Sequence, residues 1–174
     1  MKKLIFISLL FSILSLSVSA QKPTKAEKAA QLEQEFQQTR QLIESNHFQF
    51  ELNRVYPQDG QDLSRFNPRG KFVITDSVAK GTLPFFGRAY SLPYGEGGGI
   101  EFDGVMKDQS LKIEHKKKRK ILIYRFSITA KNDTYQISME ISGGGNCSVN
   151  LNSNNRAQIS YSGTVSPVKD ETGK

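Results

Sequence analysis

Thr134-Tyr135-Gln136-Ile137-Ser138-Met139-Glu140-Ile141-Ser142 alternates strictly, with Tyr135, Ile137, Met139 and Ile141 on one side of an extended chain and Gln136, Ser138 and Glu140 on the other. Only a strand, whose side chains point to opposite faces at a period of two, sorts these residues into an apolar and a polar face. The rhythm runs outward in both directions. Upstream, residues 121–130 place Leu122, Tyr124, Phe126, Ile128 and Ala130 together. Downstream, residues 147–152 and 157–164 repeat the pattern, with Cys147, Val149 and Leu151 and then Ile159 and Tyr161. The segments between them, Lys131-Asn132-Asp133, Gly143-Gly144-Gly145-Asn146 and Ser153-Asn154-Asn155-Arg156, consist of residues that tolerate positive φ or expose charge, so they read as turns.

Toward the N-terminus the same period continues. Phe48, Phe50 and Leu52 alternate with polar residues, and Lys71–Thr75 and Val78–Leu83 flank an Asp76-Ser77 turn. Residues 99–102 and 110–114 read as two further strands on either side of a loop through Gly104. About eight short antiparallel strands with regular turn spacing predict a mainly β fold, a small up-and-down barrel, with a flat sandwich as the alternative. At roughly 1.5–3 kcal/mol per large buried apolar side chain, burial of one such face sets the register. An outer-membrane barrel would use the same alternation with its apolar side toward lipid. Several strands of only about five to eight residues and the lack of an aromatic girdle argue against it, since crossing a bilayer takes about 9–11.

Residues 24–45 are rich in Ala, Gln, Glu, Lys and Leu and contain no Gly or Pro, which predicts a helix. Thr24 and Glu27 have the spacing of a capping box, and Leu32, Phe36, Thr39 and Ile43 form one thin apolar stripe. Before the helix, Lys2 and Lys3 precede an apolar run from Leu4 to Leu16, and Val18-Ser19-Ala20 puts small residues at a cleavage position. This is the pattern of a secretory signal peptide, cut after Ala20 to give a soluble periplasmic protein beginning at Gln21. The run is shorter than the roughly 20 residues of a spanning helix, so no transmembrane segment is expected in the mature chain. Cys147 is the only cysteine, so no lipid-anchor site follows the apolar run. The expected organisation is a signal peptide over 1–20, a helical segment over 21–46, a barrel over 47–166 and a polar tail over 167–174.

The chain has 174 residues, enough for one domain, and carries 24 Lys and Arg against 17 Asp and Glu, a formal charge of +7. Loss of Lys2 and Lys3 lowers this to about +5, a mild balance that favours anionic surfaces without specifying one. A lone cysteine gives no internal disulfide, and Cys147, alternating with Val149 and Leu151, reads as a buried, inert thiol. One Cys and two distant His cannot supply a zinc site, so no metal is expected. No cofactor motif is present: Gly95 to Gly99 lacks a following Lys-Ser or Lys-Thr and opens a strand instead of a helix. Nucleic acid is a poor partner for an exported protein whose strands lack interleaved basic and aromatic residues.

The densest candidate site is the aromatic and glycine-rich stretch from Pro84 to Gly104. Phe85, Phe86, Arg88, Tyr90 and Tyr94 would form a rim loop able to meet a ligand, or would fold over one end of the core. Glu101 and Asp103, two apart on a strand, would point the same way and suit a cation or an acid and base pair. Lys116, Lys117, Lys118, Arg119 and Lys120 follow His115 in one turn and form a weak anion patch, or a solvated hairpin tip that deters edge aggregation. No catalytic residue is assigned, since His47 sits at a helix-to-strand junction and His115 within the positive cluster.

Several stretches together carry a family likeness: Leu83-Pro84-Phe85-Phe86-Gly87-Arg88-Ala89-Tyr90, Pro93-Tyr94-Gly95, Gly98-Gly99-Ile100-Glu101-Phe102, Asn132-Asp133-Thr134-Tyr135, Asn152-Ser153-Asn154-Asn155-Arg156 and Ile159-Ser160-Tyr161-Ser162-Gly163. The chain resembles a family of exported proteins from Bacteroidetes, the domain of unknown function numbered 4251, from about Arg40 to Val165. That resemblance implies a lipocalin-like β-barrel behind an N-terminal helix and transfers no catalytic residue. Two readings of function follow. In the first, the barrel binds a small apolar or amphipathic ligand, or a peptide, in its interior or at its rim. In the second, it is a structural or interaction module of the cell envelope, with a filled core and an aromatic loop that meets a protein. The volume inside the barrel separates them.

Overall fold

The computed structural model describes residues 24–91, 98–116, 119–130 and 133–169. By Cα proximity the chain divides into two compact units, the second beginning at Leu32. Helix α1 spans Lys25–Glu44. Its start is the expected capping box: the Thr24 amide donates to Glu27 Oε2 at 2.7 Å and the Glu27 amide to Thr24 Oγ1 at 3.2 Å. Phe36, Thr39 and Ile43 are buried, and the Thr39 hydroxyl donates to the Glu35 carbonyl at 2.9 Å. Leu32 departs from the expected stripe and is 60% exposed, so the buried edge is one turn shorter than the pattern suggests. Gly143 allows the helix to come close. A Cβ there would lie 3.2 Å from the Phe36 nitrogen.

After α1 the left-handed Asn46 (φ 48°) turns the chain into eight strands. They are β1 His47–Pro57, β2 Lys71–Thr75, β3 Val78–Leu83, β4 Ile100–Lys116, β5 Arg119–Thr129, β6 Thr134–Ser142, β7 Asn146–Ser153 and β8 Ile159–Pro167. Each pairs antiparallel with the next, and β1 pairs with β8 from Phe48 opposite Pro167 to Pro57 opposite Ile159, closing the barrel. The flat sandwich is excluded. The tight β6–β7 turn uses Gly144 and Gly145 at φ 79° and 80°, which only glycine adopts without strain.

The structure corrects two strand boundaries. The two strands expected over 99–102 and 110–114 are one 17-residue strand that begins at Ile100, with Gly104 opposite Ala79 and no loop there. The interruption falls later, as a bulge between Lys107 and Ser110, with Asp108 at φ 54°. Ser127 Oγ donates to Asp108 Oδ2 at 3.0 Å, and the Tyr124 hydroxyl lies 2.9 Å from Gln109 Oε1, which fixes the extra residue. Further on, β8 begins at Ile159 and not at Ala157.

Several strands are also longer than the pattern implied, with 11 residues in β1 and β5, so length alone would not exclude a membrane barrel. Side-chain direction does. Ile137, Met139 and Phe126 are at most 3% exposed within the core, whereas Ser138 and Glu140 look outward, the reverse of a lipid-facing wall.

The interior is occupied by side chains. Phe48, Phe50, Phe72, Ile74, Leu122, Met139 and Val149 have no accessible surface, whereas any void large enough for a ligand would itself expose its lining. The Phe50 and Phe72 ring centroids lie 5.0 Å apart, Phe72 and Phe102 5.8 Å, and Phe102 and Tyr135 6.3 Å, forming a row across the barrel. Gly81 makes the row possible. It sits between Phe72 and Phe102 in the register, and a Cβ there would collide with the Phe72 backbone and Cβ. Gly163 likewise leaves room for the Phe50 ring, whose edge would be 2.7 Å from a Cβ at that position.

Candidate functional site

An up-and-down barrel sends alternate connections to opposite ends. The β2–β3, β4–β5 and β6–β7 turns leave from one end, whereas the β1–β2, β3–β4, β5–β6 and β7–β8 connections gather at the other, the loop mouth. The aromatic stretch lies at this mouth. Phe85 is half-buried against the core, Phe86 is 45% exposed, Tyr90 is 62% exposed and Arg88 points to solvent. Tyr94 lies outside the described residues. Backbone pairing anchors the loop to the β7–β8 connection: Tyr90 donates to the Asn155 carbonyl and Ala157 to the Arg88 carbonyl, both at 2.8 Å. From inside the barrel, the Tyr161 hydroxyl donates to the Pro84 carbonyl at 2.9 Å.

Sequence placed Arg156 in a turn that exposes charge, and the structure corrects this. Arg156 is 5% exposed. Its guanidinium lies 5.2 Å from the centre of the Phe85 ring, Nη1 donates to the Gly98 carbonyl at 3.3 Å, and Nε is 3.9 Å from Asp133 Oδ2. Nε has no hydrogen-bond partner among the described residues. Asp133 is oriented in turn by the Ser153 hydroxyl and by the Thr134 amide at 2.8 Å. One buried cation therefore ties together the β3–β4, β5–β6 and β7–β8 connections. Its partners Phe85, Gly98 and Asp133 are distant in sequence, so no local spacing announces them. The only signal was that Phe85, Gly98, Asp133 and Arg156 all fall in the motifs that carry the family likeness.

Glu101 and Asp103 share the outward face of β4, as expected, and both are exposed. Asp103 is taken by Lys80 at 2.7 Å, and this hydrogen-bonded carboxylate holds the Lys80 ammonium above its ordinary range. A solvated ion pair on the barrel wall lacks the burial that tunes a general acid or base.

The basic run is also partly committed. Lys116 Nζ bonds Glu140 at 2.7 Å. Lys120 Nζ reaches both Glu33 oxygens at 2.9 Å and lies 5.6 Å from the Phe36 ring centre, joining the β4–β5 hairpin to the helix. Glu33 is held below the usual carboxylate range, by its hydrogen bond from Gln37 first and by Lys120 second. Arg119 is exposed, and Lys117 and Lys118 lie outside the described residues. Two of the five cations therefore serve as struts.

Cys147 is 3% exposed on the inner face, and burial pushes its thiol well above the ordinary range. Burial also raises the Tyr124 phenol to about 12 and the Tyr161 phenol further. These groups stay neutral in the folded chain, whereas in the unfolded chain they ionise near their ordinary values of 9.0 and 10.0. The unfolded state therefore binds fewer protons in alkali, and stability falls as pH rises through those ordinary values. The urea midpoint is expected to drop steadily from about pH 9 to about pH 11, and less steeply in Tyr161→Phe; equal slopes would contradict the assignment.

The fold and mouth together define a closed eight-stranded antiparallel barrel behind one helix, filled inside and buttressed at its loop end by a buried arginine. Residues 30–165 match the family described as Domain of unknown function (DUF4251), and the chain belongs to that family. The barrel is similar to the crystal structure of a DUF4251 family protein from Bacteroides eggerthii DSM 20697. The TM-score is 0.56 at 22% identity, covering 80% of this chain and 91% of that one, a likeness of fold. No curated protein sequence matches the chain.

Proposed function

We propose that this protein is an exported, non-catalytic module of the cell envelope that binds a protein or peptide partner through the rim at its loop mouth. Residues 1–20 serve as the signal peptide, and cleavage after Ala20 releases the protein into the periplasm. The observation that carries the reading is the filled interior. With Phe50, Phe72 and Ile74 fully buried, the barrel is a scaffold, and recognition falls to its surface. Support for the rim comes from Phe86 and Tyr90, two exposed aromatics beside Arg88 on a loop held by paired backbone, because aromatics and arginine dominate partner contacts.

Native mass spectrometry of the protein taken from its own envelope tests this. A co-purifying polypeptide, lost in Phe86→Ser/Tyr90→Ser with the fold intact, is expected. A retained small apolar molecule would instead favour the ligand-binding reading.

A further inference from the structure

We infer that the overhanging half of β4 is a docking edge for a second copy of this chain. Strand β3 begins only at Val78, opposite Val105, and the last contact on that side is the Met106 amide donating to the Ser77 carbonyl at 2.7 Å. Beyond it β4 runs on to Lys116, paired only with β5, from Ser110 opposite Arg125 to Lys116 opposite Arg119. The other flank of residues 110–116 meets no strand among the described residues, a length of seven residues. Lys112, Ile113, Glu114, His115 and Lys116 are all exposed, Ile113 by 41%.

The bulge sets which backbone groups are free. Up to Met106 the even-numbered residues of β4 turn their amides and carbonyls toward β3, as Met106 shows. The extra residue between Lys107 and Ser110 shifts this by one, so Leu111, Ile113 and His115 present theirs to the open flank. An extended chain laid there would be hydrogen-bonded by a ready-made ladder.

Charge selects the occupant. When two copies pair antiparallel about a two-fold axis through Ile113, Ile113 faces its own counterpart and Lys112 faces Glu114 of the second copy, twice by symmetry. Centring the axis on Lys112 or on Glu114 instead sets like charges against each other. Among the described residues, neither Lys112 nor Glu114 has an ion-pair partner within its own chain. The bulge limits the ladder to these residues and so keeps the edge from templating indiscriminate growth.

Sedimentation velocity of the purified protein across a concentration series tests the pairing. A reversible monomer–dimer equilibrium is expected, with a dissociation constant raised roughly tenfold or more by Lys112→Glu or by Glu114→Lys alone. The double exchange Lys112→Glu/Glu114→Lys restores opposite charges and should return it to within about threefold of the original. Both positions are exposed, so the three variants leave the core intact, which circular dichroism verifies. A monomer at every concentration up to about 1 mM, or a dimer indifferent to the single exchanges, would overturn the inference.

Discussion

Phe72→Ala is expected to lower the stability of the barrel by about 3–5 kcal/mol and to open a space that takes up a benzene-sized molecule. The native barrel should take up none. The ring has no accessible surface and is clamped between Phe50 at 5.0 Å and Phe102 at 5.8 Å. Its strand neighbour Gly81 has no side chain that could relax into the gap. Truncation therefore loses both the transfer free energy of the ring and its packing contacts. Urea denaturation reads the first effect, and chemical-shift changes of core methyl groups under added benzene read the second. A change below about 1 kcal/mol, or benzene uptake by the unmodified protein, would show that the interior is not close-packed.

Arg156→Ala is the second large effect, expected at about 3 kcal/mol. Removing the guanidinium leaves the Asp133 carboxylate, 8% exposed, without its cation, and leaves the Gly98 carbonyl and the Phe85 ring without a partner. A 3.9 Å separation between Nε and Oδ2 keeps the expected cost at the lower end of what breaking a buried pair brings. Adding Asp133→Asn should recover part of the loss, because the stranded charge is then gone. The loop should loosen as well, so cleavage near Phe85 to Tyr90 in limited proteolysis is expected to accelerate in Arg156→Ala. Unchanged stability together with unchanged proteolysis would mean that the guanidinium does not brace the mouth.

The strands from Ile121 onward were legible because each buries one face, and a two-residue period leaves a plain trace in Tyr135, Ile137, Met139 and Ile141. The helix start was legible for a similar reason, since Thr24 and Glu27 are capped by each other. What failed was whatever depends on partners far along the chain. Gly104 resembled a turn residue, but its pairing with Ala79 of β3 keeps it within the strand. Leu32 sits on the right stripe yet stays exposed. The run at Lys116 to Lys120 reads as uniform positive charge until the fold brings Glu140 and Glu33 to two of its members. Arg156 shows the same limit most clearly, since its burial depends on three connections that converge only when the barrel closes.

That closure imposes an order of events on folding. Every other strand pairing joins neighbours along the chain and can form as a local hairpin, but the β1–β8 seam joins the first strand to the last. Until Ile159–Pro167 has emerged from the ribosome, β1 lacks that neighbour and Phe50 lacks the gap that Gly163 provides. The ring is therefore completed last, by its slowest and most non-local contact. A chain in which β8 has not yet joined β1 is a sheet with two sticky margins, so it needs shelter from its neighbours until the seam forms.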